Sequence, residues 1–200
     1  MADLPITSDQ GGMPVIITDA TTTTSTVLVE PDGSIYTGNA LELDVSVGRG
    51  FSTVSEVLPV AATETPVFLI KNPNGSGKKL KVSLLIFGIS PSVGSATGNT
   101  DLFRLYADPT ITTNGTALTI NNLDTQTSPP ASSMTAFFSP TVSANGTKLG
   151  TYCVSSQSGS LTISQNASRV LDANHNWLIT QTGIVNGTAT GIIQLEWVED

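Results

Sequence analysis

The chain has one cysteine and one histidine in 200 residues, and only 12% of its residues are charged. A lone Cys153 cannot close an intramolecular disulfide, and one thiol with one imidazole cannot assemble a zinc site of the usual Cys/His type. In its Thr-Tyr-Cys-Val setting, Cys153 is expected to be a small buried side chain on a strand. Basic residues are scarce, eight against sixteen acidic ones, and the net charge of −8 argues against nucleic acid as a partner, because phosphate affinity needs clustered Lys and Arg. Long apolar runs are also missing. The longest, Val82 to Ile89, is far below the ~20 residues that a membrane helix needs, and Met1-Ala2-Asp3-Leu4-Pro5 has neither the basic nor the apolar region of a secretory signal. These lacks point to a soluble protein made in a cytoplasm, with no membrane partner. Its length allows one sizeable domain plus an extension.

Catalytic constellations are lacking as well. His175 is the one histidine a serine triad could use, there is no G-x-S-x-G elbow, and no carboxylate sits in a context that singles it out as half of a glycosidase-like pair. Gly75-Ser76-Gly77-Lys78-Lys79 superficially resembles a phosphate-binding loop, but Asn72 stands where the first glycine belongs and Lys79 where a Ser/Thr should hold magnesium. Asp172-Ala173-Asn174-His175-Asn176 has the oxygen spacing of half an EF-hand loop, yet Trp177 replaces the required glycine and Gly183 the bidentate glutamate. A capping turn leading into the Trp177 strand explains the same residues. No catalytic, cofactor or metal site is expected, and the reading is of a protein that is not an enzyme.

What the chain has in quantity is turn chemistry between strand-like runs. Asn-Gly occurs at Asn74-Gly75, Asn114-Gly115, Asn145-Gly146 and Asn186-Gly187, and reads as type I′ hairpin turns, whose central residues both need positive φ. These tripeptides and Asn166 also fit the N-x-[ST] glycosylation pattern, but without a signal they are read as turns. Residues 1–40 carry Gly, Pro and a Thr21–Thr24 run, leaving only short apolar patches: Val15, Ile16 and Ile17, then Val27, Leu28 and Val29. Such a segment cannot build a core, and is expected to be an extended arm held by a neighbouring subunit or by the domain's own sheet.

From residue 41 to 200 the pattern is strand, turn, strand. Leu41–Val47 alternates as a half-exposed strand. Val67–Ile70 and Leu80–Phe87 are expected to form a hairpin around Asn72–Gly77, the far end of the second strand being buried on both faces. Further strands are expected at Leu102–Ala107, Ala136–Phe138, Gly150–Val154, Leu161–Ile163, Trp177–Thr180 and Ile192–Trp197, with a helical turn only at Arg169–Asp172. The loop from Asn121 to Ser133 is expected to reach out from one end of the sheets. Short strands at this spacing predict an all-β fold, a jelly-roll-like antiparallel β-sandwich at 41–200 preceded by the extended N-terminal arm at 1–40. Candidate partner-binding residues are the six apolar residues of the arm and the lysines Lys71, Lys78, Lys79 and Lys81, which gather near the Asn74 turn.

Four stretches, Phe68–Lys78, Arg104–Ile111, Thr112–Leu118 and Gln194–Glu199, together resemble small virion proteins of tailed bacteriophages. An "-NP-GSGK-" hairpin, a "-DPT-NGT-" segment and a terminal "-W-E-" strand recur there in one β-rich domain. The resemblance implies a structural role on the particle as a capsid decoration (cement) or head-fibre protein, usually a homotrimer, partnered by the major capsid protein or another virion protein and located in the virion after assembly in the host cytoplasm. Alternatives are a tail or neck accessory protein, or a carbohydrate-binding jelly roll using Tyr36, Phe51, Tyr106 or Tyr152 as stacking platforms.

Overall fold

A computed structural model describes residues 15–18, 24–27, 48–59, 62–91, 100–125, 129–155, 160–164, 169–183 and 189–200. The chain divides into two compact units, Met1–Ala40 and Leu41–Asp200. In the first, β1 (Val15–Thr18) and β2 (Thr24–Val27) form an antiparallel ladder with Val15 opposite Val27 and Thr18 opposite Thr24. The expected strand at Leu41–Val47 lies outside the described residues.

In the second unit the strands in chain order are β3 (Gly50–Pro59), β4 (Thr65–Asn72), β5 (Leu80–Pro91), β6 (Thr100–Ala107), β7 (Thr110–Thr113), β8 (Thr116–Ala117), β9 (Ile120–Asn122), β10 (Thr135–Phe138), β11 (Thr141–Ala144), β12 (Thr147–Ser155), β13 (Ser160–Ser164), β14 (Val170–Leu171), β15 (His175–Gly183) and β16 (Ala189–Glu199). Sheet I runs β12-β6-β15-β4-β10-β8, sheet II runs β13-β5-β16-β3-β9, and every pairing in them is antiparallel. With β7 to β11 and β14 set aside, eight strands fall into two four-stranded sheets, β12-β6-β15-β4 and β13-β5-β16-β3, in the order of a double Greek key, the chain staying in sheet I only from β6 to β12. That is a jelly roll. The chain is all-β, with no helix among the described residues, as the strand spacing predicts.

The core lies between the sheets. Alternation on β16 sends Ile193, Leu195 and Trp197 inward, each at most 2% exposed, from a central strand between β5 and β3. Phe87 of sheet II stacks on Phe103 at 4.7 Å and Tyr152 at 5.1 Å, both of sheet I, so one ring joins three strands across the interior. Phe51 stacks on Trp197 at 6.0 Å. β3 is a core strand that the sequence pattern does not announce.

Several local expectations are corrected. β4 and β5 lie in different sheets, so Pro73–Lys79 is a crossover, not a hairpin loop. Buried Asn72 pins it: its Nδ2 donates to the carbonyls of Lys78 (2.8 Å) and Leu171 (3.0 Å), and its Oδ1 accepts from the Ser76 hydroxyl (2.6 Å). β5 is not buried on both faces at its far end. A bulge, where Glu196 pairs with Leu84 but Trp197 with Val82, switches the inward positions from Leu80 and Val82 to Leu85, Phe87 and Ile89. Arg169–Asp172 contains the strand β14 on the edge of β5, not a helical turn. The 121–133 loop does not project where it is described: Asn122 Nδ2 donates to Gly48 and Pro130 carbonyls at 2.9 Å each, and buried Glu199 accepts from the Ser132 hydroxyl and, at 2.9 Å, the Ser133 N–H. Cys153 is on β12 as expected but exposed, because Tyr152 and Val154 take the inward positions of that edge strand.

The described Asn-Gly steps are not hairpins either. Only the glycines have positive φ (Gly75 +80°, Gly115 +86°, Gly146 +87°), which rules out type I′ geometry. β7 pairs with β11 whereas β8 pairs with β10, and β12 pairs with β6, so the chain changes partner at Asn114-Gly115 and again at Asn145-Gly146. The Asn186 step lies outside the described residues.

Candidate interaction surfaces

The two corner glycines belong to a repeat. Tyr106–Leu118 (YADPTITTNGTAL) and Phe137–Leu149 (FFSPTVSANGTKL) share Pro, Thr, Asn-Gly-Thr and Leu in register. Their structures are reciprocal. Thr147 pairs with Ala107 as Thr116 pairs with Phe138, and Ile111 pairs with its equivalent Val142. Asp108 and Ser139 both sit at φ +52° ahead of a buried proline, donating N–H to the Asn176 carbonyl (2.9 Å) and the Val67 carbonyl (3.1 Å). A Cβ on Gly115 would lie 2.2 Å from the Phe138 carbonyl oxygen, and one on Gly146 would lie 2.1 Å from that of Ala107. The local two-fold therefore passes between Leu69 and Leu178, which face each other at the centre of sheet I, flanked by Tyr106 and Phe137 in one cross-strand row. This row lies on the face opposite the main core, yet Leu69 and Leu178 are fully buried. The ladder of β7 and β11, lying on the same two-fold, forms a strap over it, with Ile111 and Val142 as its half-buried residues.

At one corner of the strap the Glu64 carboxylate accepts from Tyr106 OH and Thr180 Oγ1, both at 2.7 Å, and from Asn145 Nδ2 at 3.2 Å, with Arg104 Nη1 3.6 Å from its other oxygen. Partial burial pushes this carboxyl up, but the two hydroxyls, then Arg104 and Lys148, outweigh it and hold the group below its ordinary value. At the opposite corner Lys71 Nζ donates to Asn114 Oδ1 at 3.3 Å, beside a cavity of about 490 Å³.

The four lysines do not act as one patch. Lys79 pairs with Asp172 at 3.0 Å, Lys81 pairs with Asp200, and Arg49 reaches the same Asp200 at 3.4 Å. The Lys81 ammonium is the main reason that Asp200 ionises below the usual carboxylate range. Lys78 contributes mainly its backbone: its carbonyl accepts from Asn72 and its N–H donates to Ser76 Oγ at 3.2 Å. Lys71 alone faces the strap side. Of the apolar arm residues, Val15, Ile16, Ile17 and Val27 lie on β1 and β2, whereas Leu28 and Val29 fall outside the described residues.

Asp172–His175 is a turn leading into β15, with Asn174 at φ +66° and the His175 N–H on the Asp172 carbonyl (3.3 Å). His175 Nδ1 lies 3.0 Å from both Asp108 carboxylate oxygens, an exposed pair tying the start of β15 to the repeat's first corner. Among the described residues no group of three metal-ligating side chains occurs, and no helix is long and apolar enough to cross a membrane. Phe51 and Tyr106 are buried, so neither is an exposed stacking platform; Tyr152 is half-buried under Arg169, and Tyr36 lies outside the described residues. Buried Asp101 accepts from Gln181 Nε2 at 2.6 Å, while Gln181 Oε1 has no partner. Burial raises the Asp101 carboxyl above its ordinary value, with the Gln181 amide pulling the other way.

No protein-family model matches the chain, and no curated protein matches it significantly. Among solved structures, a chain from the infectious bursal disease virus Gx strain aligns at 13% identity with a TM-score of 0.11, over 99% of this chain and 51% of that one. This chain spans about half the length of that one, and a likeness at that level carries no argument about fold or function.

Proposed function

We propose that the chain is a non-enzymatic structural protein of a tailed-phage virion, a decoration protein that fastens to the head lattice through its N-terminal unit and through contacts with its own copies. The carrying observation is the division of labour. Every strand of the jelly roll comes from the second unit, while residues 1–40 form a unit with a ladder of their own. Among the described residues both sheets of the sandwich are built from the second unit alone, and the first unit is the attachment element in this reading. Viral capsid and lectin domains share the jelly-roll architecture, and fold alone does not select among such roles. The lectin reading has lost two of its aromatic platforms to burial. A surface poor in charge and rich in Thr, Ser, Asn and Gly suits lattice contacts made by packing and backbone hydrogen bonds.

The test is co-sedimentation with particles depleted of the protein. The full chain should bind them. A chain starting at residue 41 should keep its β-sheet circular dichroism and lose binding; undiminished binding by that truncated chain would refute attachment through the N-terminal unit.

A further inference from the structure

The local two-fold gives each corner of the strap an internal reference. The register that carries Leu69 onto Leu178 also carries Thr180 onto Lys71, Asn145 onto Asn114, Tyr106 onto Phe137 and, across the bulge after Ile179, Glu64 onto Asn174. At the first corner a carboxylate is gripped by two hydroxyls and an amide. At the second that carboxylate is missing and an ammonium has replaced one of the hydroxyls. The space is not refilled. A cavity of about 490 Å³ remains, lined in part by Lys71, Asn114, Thr135, Phe137 and Asn176, within the usual range for ligand sites. Among the described residues Lys71 meets no carboxylate; its one hydrogen bond is to the Asn114 amide oxygen.

We propose that this corner binds a carboxylate side chain presented by an acidic peptide segment of another protein chain. Lys71 supplies the charge, the amide N–H groups of Asn114 and Asn176 supply directed donors, and the Phe137 ring forms the apolar wall that the Tyr106 ring forms at the other corner. A charge-assisted hydrogen bond to the carboxylate is the strongest single contact available there. One source of such a segment is a second copy of this chain, since residues 1–40 hold Asp3, Asp9, Asp19, Glu30 and Asp32 and no Lys or Arg. The other is an acidic segment of a different protein. This site does not depend on the virion role, so each can fail separately.

The probe is N-acetylglutamate methylamide, titrated into the full 15N-labelled chain, with the glutamine analogue as control. The glutamate probe should shift the Asn114 and Asn176 side-chain amides saturably and the glutamine analogue should not. Lys71→Met should weaken binding about tenfold, the loss of one charge-assisted bond. Asn174→Asp, which puts a carboxylate at the cavity wall in the position equivalent to Glu64, should abolish probe binding and raise the thermal midpoint. A synthetic peptide of residues 1–40 that binds more tightly than the single amino acid identifies a second copy as the source; one that binds no better identifies a foreign segment. Equal shifts from the glutamate and glutamine probes, or unchanged affinity in Lys71→Met, would overturn the proposal.

Discussion

Three glycines with nearly the same φ should respond very differently to alanine. Gly75, Gly115 and Gly146 lie at +80°, +86° and +87°, so each substitution carries the left-handed penalty of about 1–2 kcal/mol, partly offset by about 0.4–1 kcal/mol from the stiffer unfolded chain. At Gly75 nothing lies within 4 Å of the added carbon, and the net cost should stay near 1 kcal/mol or below. At Gly115 and Gly146 the carbon would meet backbone carbonyl oxygens at 2.2 and 2.1 Å, where about 3.5 Å is comfortable. Those oxygens belong to the opposing copy of the repeat, at the ends of β10 and β6, and neither can rotate away. Each corner must open by about 1 Å, which adds about 1–3 kcal/mol of overpacking. Urea unfolding with unchanged m-values should therefore rank Gly75→Ala well above the other two in stability. Because both corners hold the same strap, the double variant should depart from additivity by more than about 0.5 kcal/mol. If all three single variants fall within about 0.5 kcal/mol of one another, the reciprocal-corner description is wrong.

Asp101→Asn should stabilise the protein at neutral pH, by about 1 kcal/mol, because an amide keeps the acceptor for Gln181 Nε2 and offers a donor to the unpaired Gln181 Oε1. The sign follows from the raised carboxyl: its stability contribution is present below the unfolded pKa and is lost as pH rises through the folded one, so the variant's advantage should vanish in acid and grow toward pH 7 in urea melts at stepped pH. Phe87→Ala should cost about 3–5 kcal/mol in the same assay, since it removes the ring shared by Phe103 and Tyr152; a loss below about 1 kcal/mol would contradict the cross-sheet stack. Cys153 should react with a thiol reagent in the native protein as fast as in urea, and protection until unfolding would contradict its exposed position on β12.

The strands with clean alternation or strong β-branched content, such as Leu102–Ala107 and Ile192–Trp197, were legible because burial on one face writes a period of two into the chain. Partner choice was not. Val67–Ile70 and Leu80–Phe87 look like hairpin arms in any local window, and only the buried Asn72, satisfied by residues as far away as Leu171, shows that the chain crosses between sheets. The Asn-Gly steps misled for a related reason: the dipeptide records a need for positive φ, which a corner between sheets satisfies with glycine alone. Among site residues, Lys71 carried a charge signal, but its separation from Lys79 and Lys81 depended on Asp172 and Asp200 arriving from elsewhere in the chain. The repeat spanning Tyr106–Leu118 and Phe137–Leu149 was written in the sequence throughout. Its shared Pro-Thr and Asn-Gly-Thr positions were the signal that leads to the strap and to the empty corner.

The most direct test of the proposed structural role is a reconstruction of tailed-phage particles purified from a lysate that contains the chain. The jelly roll should appear as repeated density on the outside of the head, with residues 1–40 in contact with the underlying lattice. Purified particles that contain no copy of the chain, or a reconstruction in which those residues touch nothing on the particle, would contradict it.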